Sequence, residues 1–304
     1  MAISKISVAD ITEPKNPRAA VIFEADNDSQ ESVIRSLMLI MGAGRYFKTE
    51  DFVSVHPAQY NFYVIGGPVT GGRIDEKILG FILNNSEWLI QKRIVLFGFC
   101  EPGEQAESVL QSIADSLGDA VIGREVIHVD ASRLDMESIV RVGARFRSLK
   151  EKGSVSLEPS EVREHIERFL HRRKHCVLST GYGDSVRGTS VSYFYNNGHV
   201  YIMCEGSGKF ANIILNDNVC VALFAPPTSK SKVAGLQLTG RVSIWHPDSE
   251  EYRRIVKIKG SDYERLRSLP FILWALDVKV EKAEFWWADL AEQGFAPKQV
   301  YYFF

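Results

Sequence analysis

The sequence predicts two domains: an α/β domain on a parallel sheet with helices on both faces, then a mainly-β antiparallel domain with flanking helices. Three observations carry this. Continuous apolar runs alternate with amphipathic runs from residue 19 to residue 146, the pattern of strands crossing over through helices. Residues 147–160 (RSLKEKGSVSLEPS) are polar, hold Gly153 and Pro159 and have no apolar period, so they read as a linker. Beyond residue 176 the runs are short, alternate in polarity and are broken by turns such as Tyr182-Gly183-Asp184 and Asn196-Asn197-Gly198. The length of 304 residues suits two domains, placed at 1–150 and 158–304.

In the first domain, residues 19–24 (AAVIFE) form an apolar run expected of a strand covered on both faces. Val33, Leu37, Met38 and Met41 then recur at helical spacing. Residues 52–55 read as a short strand, and residues 62–65 as another, ended by Gly66-Gly67-Pro68. Ile74, Ile78, Leu79 and Ile82 mark a second helix, residues 93–99 (RIVLFGF) a further strand, and Val109, Leu110, Ile113 and Leu117 a third helix. Residues 125–129 and a helix through Ile139 and Phe146 finish the series. Ligands in such sheets sit beyond the carboxyl ends of the strands, at a switch in strand order.

The second domain opens on a helix from Pro159 or Ser160, with Val162, Ile166, Phe169 and Leu170 as its buried stripe. The basic run from His171 to His175 complements the negative helix end. His171 and His175 have metal-ligand spacing, but no acidic partner motif accompanies them, and no metal site is expected. A strand starts at Cys176. Residues 188–195 form a strand that turns at Asn196-Asn197-Gly198 into a return strand, 199–205. Residues 219–224 (VCVALF) read as a buried strand, 225–233 as a surface loop, 236–244 as an alternating strand, and 248–259 as a helix over the sheet. Residues 276–285 form a late strand closed by Trp286 and Trp287. The aromatic tail through Tyr301, Tyr302, Phe303 and Phe304 supplies either a final strand or an oligomer contact.

The chemistry concentrates between Arg187 and Asn212 (RGTSVSYFYNNGHVYIMCEGSGKFAN). Gly206-Ser207-Gly208 opens a short helix with Phe210, Ile213 and Ile214 on one face. A helix start offers unpaired N–H groups and a positive dipole end. Ser207 adds a hydroxyl, Gly208 lets backbone come close and Lys209 adds charge. The combination suits a phosphate.

Residues 159–287, including HCVLSTGYGDSVRGTSVSYFY, VYIMCEGSGKFANIILNDNVCVALF, GLQLTGRVSIW and AEFWWAD, resemble the pyridoxamine 5′-phosphate oxidase-like FMN-binding split barrels. The resemblance implies an antiparallel split barrel that binds FMN at a homodimer interface. The phosphate would lie on Ser207 and Lys209, within a stretch ending at Asn212, and the flavin along Arg187, Gly188, Thr189, Ser190 and Val191. Gln237 is suited to orient the ring through its amide, and Trp286 to wall it, with Trp287 as packing. Tyr193 and Tyr195 either stack on the ring or pack against the sheet. No Arg follows Trp286 in FWWADLAEQGFAPKQVYYFF, so the vitamin B6 substrate signature is missing.

The first half, through YNFYVIGGPVTGGRIDEKILGFILNN and RIVLFGFC, is similar to the flavodoxin-like domains of menaquinone-dependent protoporphyrinogen oxidases. It departs at the loop after the first strand. EADNDSQES puts Asp26 and Asp28 where a phosphate would sit, and like charges repel strongly in a partly dry site. The loop GGPVTGG lacks a stacking aromatic. A degenerate flavodoxin-like domain with a structural or docking role is expected.

The net charge of −2 gives no pull toward nucleic acid or membrane. No apolar run has membrane-spanning length, and MAISKISVADITEPK is too polar for a signal peptide. Cys100, Cys176, Cys204 and Cys220 are scattered without a CxxC, as buried thiols in a reducing cytoplasm would be. The expected function is an FMN-dependent oxidoreductase acting on a small molecule or electron acceptor, with no identifiable catalytic side chain. The rivals are a non-catalytic flavin or electron-transfer module and an interaction protein with vestigial sites.

Overall fold

In the computed structural model, β1 (Ala19–Phe23) is buried at every residue because helices cover both faces of its sheet. The structure describes Pro14 and residues 17–101, 105–129, 135–225 and 233–303. The opening segment read for a signal peptide, the middle of the 225–233 loop and Phe304 lie outside the described residues. The chain divides into two units, Met1–Val155 and Ser156–Phe304.

After β1 the first unit runs α1 (Asp28–Met41), β2 (Gly44–Lys48), β3 (Phe62–Thr70), β4 (Arg73–Ile74), α2 (Glu76–Leu89), β5 (Arg93–Cys100), α3 (Ala106–Leu117), β6 (Val121–His128) and α4 (Met136–Glu151). The sheet order is β2-β1-β3-β5-β6, all parallel, with β4 folded back antiparallel on β3. The order reverses between β1 and β3, where a parallel sheet leaves a crevice at its carboxyl edge. One face is sealed by α1 and α4, with Val33, Leu37, Ile139 and Phe146 against Val21, Val64 and Phe97. The other is sealed by α2 and α3, with Ile78, Ile82 and Leu110 against Ile22, Ile65 and Leu96. That two-sided burial is why β1, β3 and β5 are buried along nearly their whole length.

Two expectations are corrected here. Residues 52–55 are no strand: Asp51–Ser54 is a 3-10 turn whose buried Phe52 packs against the rings of Phe47, Phe81 and Trp88. The strand in this region is β2, an edge strand whose partly exposed residues hide its identity from an apolar-run reading. Nor does Gly66-Gly67-Pro68 end a strand, since β3 continues to Thr70. Gly66 answers a close approach: a Cβ there would lie 1.9 Å from the Phe97 carbonyl oxygen. Pro68 is tolerated because β1 stops pairing at Gly66, so no neighbour needs its missing N–H on that side.

The second unit runs α5 (Pro159–His171), β7 (His175–Tyr182), β8 (Ser185–Ser192), β9 (Phe194–Asn196), β10 (His199–Cys204), α6 (Gly208–Leu215), β11 (Asn218–Ala225), β12 (Ala234–Trp245), α7 (Glu250–Lys259), α8 (Tyr263–Arg267), β13 (Trp274–Trp287), α9 (Asp289–Glu292) and β14 (Lys298–Tyr302). Its strands form one curled antiparallel half-barrel in the order β8-β7-β11-β12-β13-β10-β9, with β14 added on β13. The long β13 pairs β10 along its first half and β14 along its second. The ladder to β12 slips at Thr239/Gly240. Gly240 is needed at that bulge, because a Cβ would lie 2.1 Å from the Lys279 carbonyl oxygen. Inside the curl, Leu178, Val221, Leu238, Val278 and Phe285 meet the α5 stripe of Val162, Ile166, Phe169 and Leu170.

The aromatic tail resolves as a final strand, β14. The hairpin expected between residues 188–195 and 199–205 is corrected. The strand breaks at Tyr193, β8 pairs with β7, and only β9 pairs with β10. Tyr193 sinks its ring into the core and donates its hydroxyl to the Leu170 carbonyl at 2.7 Å, which turns the chain out of one ladder and into another. The curl nevertheless brings β8 back near β10 and α6.

Phe97 is fully buried in the α1/α4 face of the sheet. Phe97→Ala is expected to cost about 3–5 kcal/mol, read as a lowered midpoint in urea unfolding of the first unit.

Candidate functional site

The start of α6 gathers side chains from three elements. Ser207 is the N-cap in an extended conformation, yet its hydroxyl makes no capping bond to the helix. It accepts instead from Lys209 Nζ at 2.9 Å. Lys209 Nζ also donates to the Glu205 carbonyl at 3.4 Å, and the residue is 3% exposed. Among the described residues no carboxylate pairs with it. A buried ammonium with only neutral acceptors is costly to desolvate, so the site favours an anion from outside the chain. The first N–H groups of α6 point the same way, having no intrahelical acceptor.

Arg187 reaches this corner from β8. Its guanidinium lies across Gly208, where a Cβ would sit 2.9 Å from Arg187 Cζ. Arg187 is exposed and has no ion-pair partner among the described residues. Gly208 is therefore the residue that lets an arginine and a helix start close on one small volume. Arg187, Ser207 and Lys209 converge there, and together they fit a phosphate.

Asn212, one turn further along α6, is 3% exposed. Its amide donates to the Thr180 carbonyl, to Thr180 Oγ1 and to the Ser185 carbonyl, each at 3.3 Å. It holds the helix against the β7–β8 hairpin and so fixes Arg187 relative to Lys209; its donors are already engaged by the chain. Sequence reasoning missed two neighbours. Thr180 is the buried partner of Asn212, and its strand position opposite Arg187 marks it. Cys204 ends β10, and burial pushes its thiol up while the nearby Lys209 pulls it back. The signal for Cys204 is only its place at the last strand residue before the helix turn.

The remaining candidates divide by strand alternation. Thr189 and Val191 lie opposite Leu178 and Cys176, on the inner face, and Val191 packs on the core. Gly188 and Ser190 face outward. Ser190 stands in a cross-strand row with Val177, Ala222 and Gln237, beside a cleft of about 380 Å³ lined by His175, Val177, Ser190, Ala222 and Phe224. Gln237 is exposed on that outer face, three strands from Ser190, or about 14 Å at normal strand spacing. Trp286 is outward too and 44% exposed, whereas Trp287 turns inward against Phe285 and His165. Tyr193 and Tyr195 are core residues. Tyr195 donates to Glu167 Oε1 at 3.2 Å and accepts from the Gly198 N–H at 3.0 Å.

In the first unit the loop after β1 is closed on itself. Asn27 caps α1 by accepting from the Gln30 N–H at 3.0 Å, and Gln30 Oε1 accepts from the Asp26 N–H at 2.9 Å. The Asp26 and Gln30 amides are thus bonded within the chain, and Asp28 and Glu31 add negative charge in the first turn. Among the described residues no helix is long and apolar enough to cross a membrane.

No family model and no curated protein matches the chain. Solved structures do. General stress protein 26 from Bacillus anthracis str. Sterne is 19% identical, with 41% of this chain and 93% of that chain covered and a TM-score of 0.32. A protein from Clostridium acetobutylicum related to general stress protein 26, of the pyridoxinephosphate oxidase family, is 14% identical over 48% of this chain and 96% of that one, at 0.36. A FAD-binding protein from Mesorhizobium loti is 13% identical over 40% of this chain and 90% of that one, at 0.32.

Asn212→Ala is expected to cost about 1–3 kcal/mol, because two buried acceptors on the hairpin lose their donor, measured by denaturant unfolding. Burial, above all other causes, pushes the Tyr195 hydroxyl up to about 12 from an ordinary value of 10. The unfolded chain therefore ionises first as pH rises. Stability from this residue is complete below pH 10 and is lost on the way to about pH 12. Tyr195→Phe should flatten that part of the alkaline stability profile, followed by circular dichroism.

Proposed function

We propose that the second unit binds flavin mononucleotide and that the protein is an FMN-dependent oxidoreductase of the pyridoxamine-phosphate-oxidase-like split-barrel class. The observation that carries this reading is the buried Lys209 ammonium at the start of α6, without a carboxylate partner among the described residues and faced by Arg187. The resemblance of residues 159–287 to FMN-binding split barrels supports it.

Lys209, Ser207, Arg187 and the first N–H groups of α6 hold the phosphate. Thr189, on the same face of β8 as Arg187, and the backbone of Gly188, Ser190 and Val191 line the rest of the flavin. Bound flavin supplies hydride or single-electron transfer, while the protein positions it and sets its electrostatics. Gln237 and Trp286 lie across the outer face from Ser190, so they serve a flavin shared with a second copy. Phe224, Trp286 and Tyr302 on that face are 70%, 44% and 66% exposed, and a homodimer would cover them. The acceptor is a small organic molecule or an electron-transfer partner.

The first unit has the flavodoxin-like strand order, but its closed, acidic β1–α1 loop favours a docking or structural role over a second flavin. The chain works in the cytoplasm.

Purified protein is expected to be yellow and to elute as a dimer. Lys209→Ala should weaken FMN at least about tenfold, consistent with losing a charge-assisted hydrogen bond, in a flavin-fluorescence titration. Unchanged affinity would remove the phosphate from this corner. Stopped-flow reduction of bound flavin by NADH or NADPH separates an enzyme from a passive carrier.

A further inference from the structure

A second pocket of the half-barrel unit lies away from the α6 corner, between the end of α5 and the inward turn of β13. It has a volume of about 480 Å³, within the range of small-molecule sites. Its floor is aromatic: Phe169 and Phe285 meet edge to face at 5.3 Å, and Trp287 stands 6.0 Å from Phe285. Its rim is basic, with Arg168, Arg172 and Arg173.

The negative end of α5 explains some of this charge but not all of it. Arg173 is fixed by the chain itself. It donates to the carbonyls of Phe169 at 3.0 Å and Phe224 at 3.2 Å, and its guanidinium lies 3.3 Å from the centre of the Phe169 ring. Arg168 is paired with Glu164 one turn back. Arg172 is exposed, lines the cavity and has no side-chain partner among the described residues. Its planar fork matches a carboxylate bidentately. His165 packs 4.7 Å from Trp287 and is held below its ordinary pKa, first by burial and then by Arg168. It therefore adds a ring surface more than a charge. Asp289 is the carboxylate among the described lining residues, set against three guanidinium groups.

We propose that this pocket is a binding site for a small aromatic carboxylate, whose ring lies on Phe285 and Trp287, beside the Arg173-capped Phe169, and whose carboxylate is taken by Arg172. Ring and charge both contribute: the floor buries an apolar plate, and the basic rim favours the carboxylate over its neutral analogue of the same shape. The site is independent of the flavin reading, since none of Arg187, Ser207 and Lys209 lines it.

Isothermal titration calorimetry of the full chain at low salt, with 2-naphthoate and its neutral isostere 2-naphthamide, tests this. Naphthoate should bind at least about tenfold more tightly than naphthamide, as loss of a charge-assisted pair demands. Arg172→Ala and Arg172→Gln, both at an exposed position, should remove that advantage while leaving flavin retention unchanged. Equal binding of the two probes, no binding of naphthoate, or full naphthoate affinity in folded Arg172→Ala would overturn the proposal.

Discussion

A positive charge placed out of water, without a carboxylate partner among the described residues, governs the second unit. Lys209 is 3% exposed, and its ammonium meets the Ser207 hydroxyl, the Glu205 carbonyl oxygen, the Cys204 thiol and the Phe210 ring. Neutral oxygens offset part of the desolvation cost, and an ion from solution offsets more. Much of the nearby architecture serves to hold that charge in place. Asn212 pins α6 to the β7–β8 hairpin, Gly208 gives up its side chain so that Arg187 can close over it, and β10 delivers the chain to the helix at the right depth.

The two units treat a helix start in opposite ways. At α1 the side chains of Asn27 and Gln30 take two of the chain's own amides, beside Asp26, Asp28 and Glu31. At α6 the only hydroxyl available for capping, Ser207, is turned toward Lys209. One helix start is closed and acidic; the other is open and basic. Both are near turns that a pattern search would flag as phosphate loops, and the hydrogen bonds separate them.

The half-barrel also has two differently dressed faces. Its inner face is a continuous apolar core against α5. Its outer face carries Ser190, Gln237 and Glu284 among exposed Phe224, Trp286 and Tyr302. The 14-residue β13 serves both, because successive residues alternate: Phe285 and Trp287 point one way and Trp286 the other. A polar row bordered by exposed aromatics is the composition of a surface that meets a partner and orients a ligand at once.

Composition and periodicity by themselves determined the division into a half with a two-sided parallel sheet and a half of alternating, turn-linked strands. Both-face burial leaves apolar runs such as residues 19–24, and one-face burial leaves alternation such as residues 236–244. They also determined that Ser207 and Lys209 suit a phosphate, since donor type is written in the side chain; that Arg187 joins them across Gly208 was decided by the fold. Pairing partners were decided only in three dimensions. Nothing local says that Tyr193 will enter the core and divert β8 from β10, because that depends on a carbonyl of α5 more than twenty residues away. The same holds for Asn212, whose amide is spent on Thr180 and Ser185, and for Gly66, whose missing side chain answers a carbonyl on a neighbouring strand. Long-range contacts choose among uses that a side chain's chemistry leaves equally open.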